Sequence, residues 1–300
     1  MKILLLGAAG QVGHELLPLL RSRGEVIAPA RSDLDLADKS AVERLLAQAR
    51  PQLIVNTIAY NEVDRAESEP EAAFRINAEA VATLGLYARE ARAALIHYST
   101  DFVFDGKKGA PYVETDRTNP LSAYGRSKLA GERALAEMEA PALVFRTAWL
   151  YSLRRRSFVS TMLKLARERK ELSLVTDQVG TPTHSADLAR ATAEVVDALG
   201  AEPWERALEV RGIYHAAAEG WCSRAELAEA TFELDPRRSE HTVERILHVT
   251  AEAFSPPAPR PANSALASDR LRERFGISFL PWRESLAHAL AASGAPGPRG

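Results

Sequence analysis

Along the first half of the chain, short and wholly apolar runs alternate with longer stretches whose apolar positions recur every three or four residues. Lys2–Leu6 reads as a strand and Val12–Arg23 as a helix that stops near Gly24. Glu25–Ala28 reads as a second strand, and Ser40–Ala49 as a helix capped by Asp38 or Ser40. Leu53–Thr57 is the third expected strand, Glu71–Glu90 a long helical region, and Ala94–Tyr98 the fourth strand. Ala123–Glu139 then reads as helix and Leu143–Phe145 as strand. Strands that are apolar throughout are covered on both faces, and helix-sized connections make neighbouring strands parallel. The pattern therefore predicts an α/β fold, a doubly wound parallel sheet.

Beyond residue 150 the pattern loosens. Phe158–Arg169 and Ser185–Leu199 read as helices, and Arg224–Phe232 as a shorter one. The proline-rich stretch Ser255–Pro261 is neither helix nor strand and reads as a stiff surface or cleft-lining loop. Residues 294–300 read as a disordered tail. The expected organisation is a first domain over 1–150 and a smaller C-terminal domain, mainly substrate-binding, over 151–300. The boundary is soft, and some later segments are allowed to return to the first domain.

The 300 residues are 46% apolar and 26% charged with a net charge of −2, which gives no reason to expect nucleic acid or an anionic membrane as partner. A lone cysteine, Cys222, excludes an internal disulfide and fits a reducing compartment. The apolar opening is soon broken by glycines, Gln11, His14 and Glu15, which argues against a signal peptide. No run of about 18 uncharged apolar residues occurs, so no membrane span is expected. These features predict a cytoplasmic protein.

The first strand runs into Gly7-Ala8-Ala9-Gly10-Gln11-Val12-Gly13 and then a helix. A helix N-terminus offers free amides and a partial positive charge, and so suits a pyrophosphate. Gly7 permits the turn, Gly10 a close backbone approach, and Gly13 tight helix–strand packing. The second strand leads to Arg31, with Asp33 and Asp35 behind it. An arginine there suits a 2′-phosphate and tilts the expectation toward NADPH, with NADH as the alternative. Asp35 and Leu36 are placed to meet the adenine. Asn56-Thr57-Ile58-Ala59-Tyr60 ends the third strand, where backbone would line the same cofactor.

Tyr124 and Lys128 are four residues apart on a predicted helix and share a face. Moving a proton near neutrality asks that the tyrosine phenolate be stabilised, and a nearby ammonium together with a cationic nicotinamide supplies such a field. Ser99-Thr100-Asp101 follows the fourth strand, where a hydroxyl would face the same cleft and hold a carbonyl toward Tyr124. His97 reads as a satisfied structural histidine in preference to a base, the Arg154-Arg155-Arg156 run as solvated in preference to a nucleotide-phosphate contact, and no histidine spacing suggests a metal.

Taken together, these residues resemble the extended short-chain dehydrogenase/reductases and, within them, the dTDP-4-dehydrorhamnose reductases. The resemblance is carried by GAAGQVG at 7–13, SDLDLAD at 32–38, VDRAESEPEAAFRIN at 63–77 and HYSTDFVFDG at 97–106. It continues through ETDRTNPLSAYGRSKLAGE at 114–132, FRTAWLY at 145–151, DQVGTPT at 177–183 and RPANSAL at 260–266. It implies a Rossmann-like fold and reduction of the C4 keto group of dTDP-4-dehydro-6-deoxy-L-mannose to dTDP-L-rhamnose. In that scheme Tyr124 is the proton donor, Lys128 its electrostatic partner, and Thr100 polarises the carbonyl. The implied cofactor contacts are Gly10, Gln11, Val12, Asp35, Leu36, Ala59, Tyr60, Asn61, Tyr98 and Lys128. The implied substrate contacts are Thr100, Asp101, Tyr124 and Trp149, the last of which could stack on the sugar or cover an apolar face. Some members carry Mg2+ at a subunit contact, with a glutamate where Glu15 stands. The remaining ligands do not map onto this chain, so no bound metal is expected. A monomer or homodimer is expected. Two other readings stay open: a non-catalytic NADP-binding regulatory subunit, and a sugar-nucleotide epimerase or dehydratase on the same fold.

Overall fold

The computed structural model describes residues 1–294. Its elements are β1 (Lys2–Leu6), α1 (Gln11–Arg21), β2 (Glu25–Ile27), α2 (Lys39–Ala49) and β3 (Leu53–Asn56). There follow α3 (Pro70–Phe74), a π turn (Arg75–Glu79), α4 (Ala80–Glu90), β4 (Ala94–Thr100), α5 (Ala123–Glu137) and β5 (Ala142–Thr147). The remainder comprises β6 (Leu150–Tyr151), α6 (Phe158–Glu168), β7 (Glu171–Val175), β8 (Val179–Gly180), β9 (Thr183–His184), α7 (Ser185–Leu199) and α8 (Pro203–Val210). Last come β10 (Gly212–His215), β11 (Cys222–Ser223), α9 (Arg224–Leu234), β12 (Arg245–Val249), α10 (Asp269–Phe275) and α11 (Trp282–Gly294).

Six parallel strands form the main sheet in the order β10-β5-β4-β3-β1-β2. The strand order reverses between β1 and β3, which places the ligand cleft of such a sheet at their carboxyl ends. Alternate residues of β1 serve opposite faces, as a period of two requires. Ile3 and Leu5 join Leu16, Leu188 and Val195 of α1 and α7, whereas Leu4 and Leu6 join Leu46, Val81 and Leu84 of α2 and α4. All of these are essentially inaccessible to solvent, and burying each such side chain contributes about 1.5–3 kcal/mol.

Several boundaries move from their expected places. Asp38, not Ser40, caps α2 by accepting from the Ala41 amide. The long helical region is broken by its π turn, and β4 extends two residues past Tyr98, so Ser99 and Thr100 lie on the strand itself. Gly294 closes α11 rather than opening a tail, and the rest of the expected tail lies outside the described residues.

Residues well past 150 complete the first core. β10 is the edge strand beside β5, and α7, Val210, Leu271, Ile277 and Phe279 pack on the α1 face. A smaller set of elements surrounds two further clusters, around Tyr151, Leu227 and Leu286 and around Leu172, Ala228 and Phe232. There β7 pairs in parallel with β12. The proline-rich loop is tied back to the sheet half: Arg260 forms an ion pair with Asp64 at 2.8 Å, and the Ala258 amide donates to the same carboxylate.

Candidate active site

The glycine loop leaves β1 at Gly7, whose φ of +86° suits glycine. A Cβ on Gly13 would collide with the Gly7 carbonyl, so only glycine lets α1 start this close to the strand. Gly10 caps α1 in an extended conformation, with no side chain accepting from the first-turn amides, and the Gln11 Oε1 is buried without a partner. A cleft of about 490 Å³ opens here, lined by Gly10, Gln11, His14 and Glu15 on one side and Ser152, Arg154, Arg155 and Arg156 on the other. The arginine run, read as solvated with nucleotide-phosphate contact as the less favoured alternative, faces the glycine loop, with Arg154 paired to Glu15 at 3.4 Å. Unpartnered helix amides opposite three guanidinium groups fit a dinucleotide pyrophosphate.

The positions expected to hold the rest of a cofactor divide into side-chain and backbone surfaces. Arg31 and Asp35 are exposed, and Asp35 accepts from the Ala37 amide at 2.9 Å. Leu36 and Val12 belong to the two cores, so at both positions only the backbone is left to face a ligand. The same holds for Tyr98, whose hydroxyl meets Thr192 at 2.7 Å inside the α7 face. Ala59 and Tyr60 are half-buried and Asn61 is exposed. Asn77, in the π turn, clamps both the amide and the carbonyl of Tyr60 at 2.9 Å and also donates to Ser127 of α5. Sequence reasoning missed Asn77; nothing local marks an asparagine inside a helical run as a loop clamp.

Thr100, Asp101, Tyr124 and Lys128 come together where β4 ends and α5 begins. Ser122 caps α5 by accepting from the Gly125 amide, and Glu67 accepts from Ala123 at 2.7 Å. A Cβ on Gly125 would collide with the Phe102 carbonyl, so this glycine lets α5 press against the turn after Thr100. Tyr124 consequently lies edge-on to Phe102, with ring centroids 5.7 Å apart. The Thr100 hydroxyl donates to Asp101 Oδ1 at 3.0 Å and accepts from the Phe102 amide.

Burial pushes the Tyr124 phenol up to about 12, opposed by the Thr100 hydroxyl and reinforced by Asp101. The expected stabilisation of the phenolate counted a cationic nicotinamide beside Lys128, whereas the protein's own groups act in the upward direction. Lys128 donates to the Tyr98 carbonyl at 2.6 Å and lies 3.2 Å from His97 Nε2. The protein's own groups therefore keep Tyr124 as a protonated phenol, the form that can deliver a proton to an alkoxide. Burial lowers Lys128 to about 8, against the pull of Glu132.

On the far wall Asp101 is buried, with Oδ2 unpartnered, and burial raises it to about 6. Trp149, at a φ of +41°, lies against Gly180 and beneath the Arg224 guanidinium, which is 3.5 Å from its ring. Burial lowers Arg224 to about 10, while Asp101 holds it up. Arg224 was also missed. The Ser223–Glu226 capping box marks it as the first residue of a helix but does not show what it faces.

The family model described as the RmlD substrate binding domain matches residues 1–294. A dTDP-4-dehydrorhamnose reductase from Burkholderia thailandensis is 43% identical over 94% of this chain and 96% of its own. A solved dTDP-4-dehydrorhamnose reductase from Clostridium acetobutylicum superposes with a TM-score of 0.89 at 35% identity, covering 98% of this chain and all of its own. One from Bacillus anthracis, in complex with NADP, gives 0.86 at 32% identity, covering 97% and 100%.

Proposed function

Because the chain belongs to the RmlD substrate binding domain family, we propose that it is an NAD(P)H-dependent oxidoreductase that reduces the C4 keto group of dTDP-4-dehydro-6-deoxy-L-mannose to dTDP-L-rhamnose. The observation that carries this reading is the convergence of Thr100, Tyr124 and Lys128 at the carboxyl end of β4, in the same sheet half as the glycine-loop cleft. Bound in that cleft, a reduced nicotinamide dinucleotide supplies the hydride, with NADPH preferred and NADH accepted.

The protein's residues supply the remainder. First-turn amides of α1 and the facing arginines hold the diphosphate, and Arg31 accommodates a 2′-phosphate. Thr100, its hydroxyl turned from Asp101 Oδ1 to the substrate, orients the keto oxygen toward Tyr124, and Tyr124 gives its phenolic proton to the alkoxide. Trp149, stiffened between Gly180 and Arg224, offers a face to the sugar, and Asp101 beside it accepts from a sugar hydroxyl. The elements around β6–β9 and α9 form the substrate half. We further assign the enzyme to the cytoplasm as a monomer or homodimer, with neither nucleic acid nor membrane as partner. The lone buried Cys222 and the net charge of −2 support that assignment.

The test is stoichiometric: NADPH consumed and dTDP-L-rhamnose formed, counted in one reaction. A reductase consumes one cofactor per product. Turnover of the sugar nucleotide without net NADPH loss would identify an epimerase or dehydratase instead, and binding without turnover a regulatory subunit.

A further inference from the structure

Behind Lys128 runs a buried row of polar groups that the proposed reaction leaves unused. His97 and Asn56 are inaccessible to solvent, and Lys128 nearly so. The Ile58 amide donates to Asn56 Oδ1 at 3.1 Å, which orients the Asn56 side chain. Its NH2 therefore faces His97 Nδ1, at 3.2 Å. An amide NH2 only donates, so Nδ1 must carry the lone pair, and a neutral imidazole then has its proton on Nε2. That nitrogen lies 3.2 Å from Lys128 Nζ. Two donors thus compete for the single lone pair of His97 whenever Lys128 is an ammonium. The conflict disappears when Lys128 is an amine that accepts from Nε2–H while donating to the Tyr98 carbonyl. An imidazolium would set a donor against Asn56 as well, and burial with the neighbouring Lys128 keeps His97 well below its ordinary range.

We infer that His97 is a positioning residue, locked by Asn56 in its Nε2–H tautomer, that favours the neutral amine of Lys128. The groups facing Lys128 are His97 and the Tyr98 carbonyl of β4, Tyr124 one turn before it and Glu132 one turn after. Glu132 favours the ammonium but is itself held by Arg146 of β5 through two hydrogen bonds, at 2.9 and 2.6 Å. Burial outweighs it.

Nitrogen NMR on the full chain, with His97 assigned by the loss of its signal in His97→Gln, reads the tautomer directly. The Nε2–H form above about pH 8 supports the assignment; the Nδ1–H form overturns it. Asn56→Asp replaces the donor with an acceptor and should switch His97 to Nδ1–H, and a variant that keeps Nε2–H overturns the proposed lock. The Lys128 Nζ titration, followed in the same spectra, reads the effect on the amine: its midpoint should move up in Asn56→Asp, where Nε2 becomes an acceptor, and an unchanged midpoint overturns the effect of His97 on Lys128.

Discussion

Gly125→Ala is a single methyl group aimed at the join between the two halves of the catalytic constellation. The new Cβ would stand closer to the Phe102 carbonyl oxygen than the 3.0 Å that real Cβ atoms keep, and the obstacle is backbone, not a flexible side-chain end. Restoring ordinary contact at 3.4 Å moves α5 or the turn after Thr100 by about 1 Å. A misplacement of that size between Tyr124 and Thr100 lowers kcat by about 10²-fold. Stability responds less, because overpacking costs about 1–3 kcal/mol while Ala gains about 1 kcal/mol over Gly inside a helix. NADPH affinity should hold, because the glycine loop sits on β1 and α1. Steady-state kinetics, thermal unfolding and NADPH titration of the variant separate these effects. A kcat within about twofold of the parent would refute the claim that Gly125 sets the spacing of Tyr124 and Thr100.

Two other perturbations have signed outcomes. Burial raises Asp101 from the usual 3.8 to about 6, so the folded state holds this proton more tightly; the resulting stabilisation is complete below the unfolded value and lost as pH rises through about 6. Asp101→Asn, neutral throughout, should therefore gain on the parent by about 3 kcal/mol between about pH 4 and 7 in urea unfolding, and a constant difference would contradict the burial argument. Arg31→Ala should weaken NADPH by about tenfold or more and leave NADH nearly unchanged, as read by direct titration; equal losses would remove Arg31 from the 2′-phosphate site.

Legibility in the sequence follows the range of the forces involved. The Lys2–Leu6 strand, the glycine loop and the Tyr124–Lys128 spacing are local patterns, and they stand in the structure where periodicity and turn chemistry put them. β10 was invisible because a four-residue edge strand has too little pattern of its own; its place is fixed by pairing with β5. Arg224 over Trp149 and Asn77 around Tyr60 depend on contacts between residues far apart in the chain, which no spacing encodes. The upward push on Tyr124 from its surroundings was hidden for the same reason: helical spacing puts Lys128 on the right face, but it does not encode burial at the β4 carboxyl end.

The central claim, proton delivery by Tyr124, is tested most directly with Tyr124→Phe and dTDP-4-dehydro-6-deoxy-L-mannose, following the loss of NADPH absorbance beside an independent NADPH titration. The account predicts a fall in kcat of about 10²–10⁴-fold with cofactor affinity nearly unchanged. A variant that oxidises NADPH at close to the parent rate would show that another group delivers the proton.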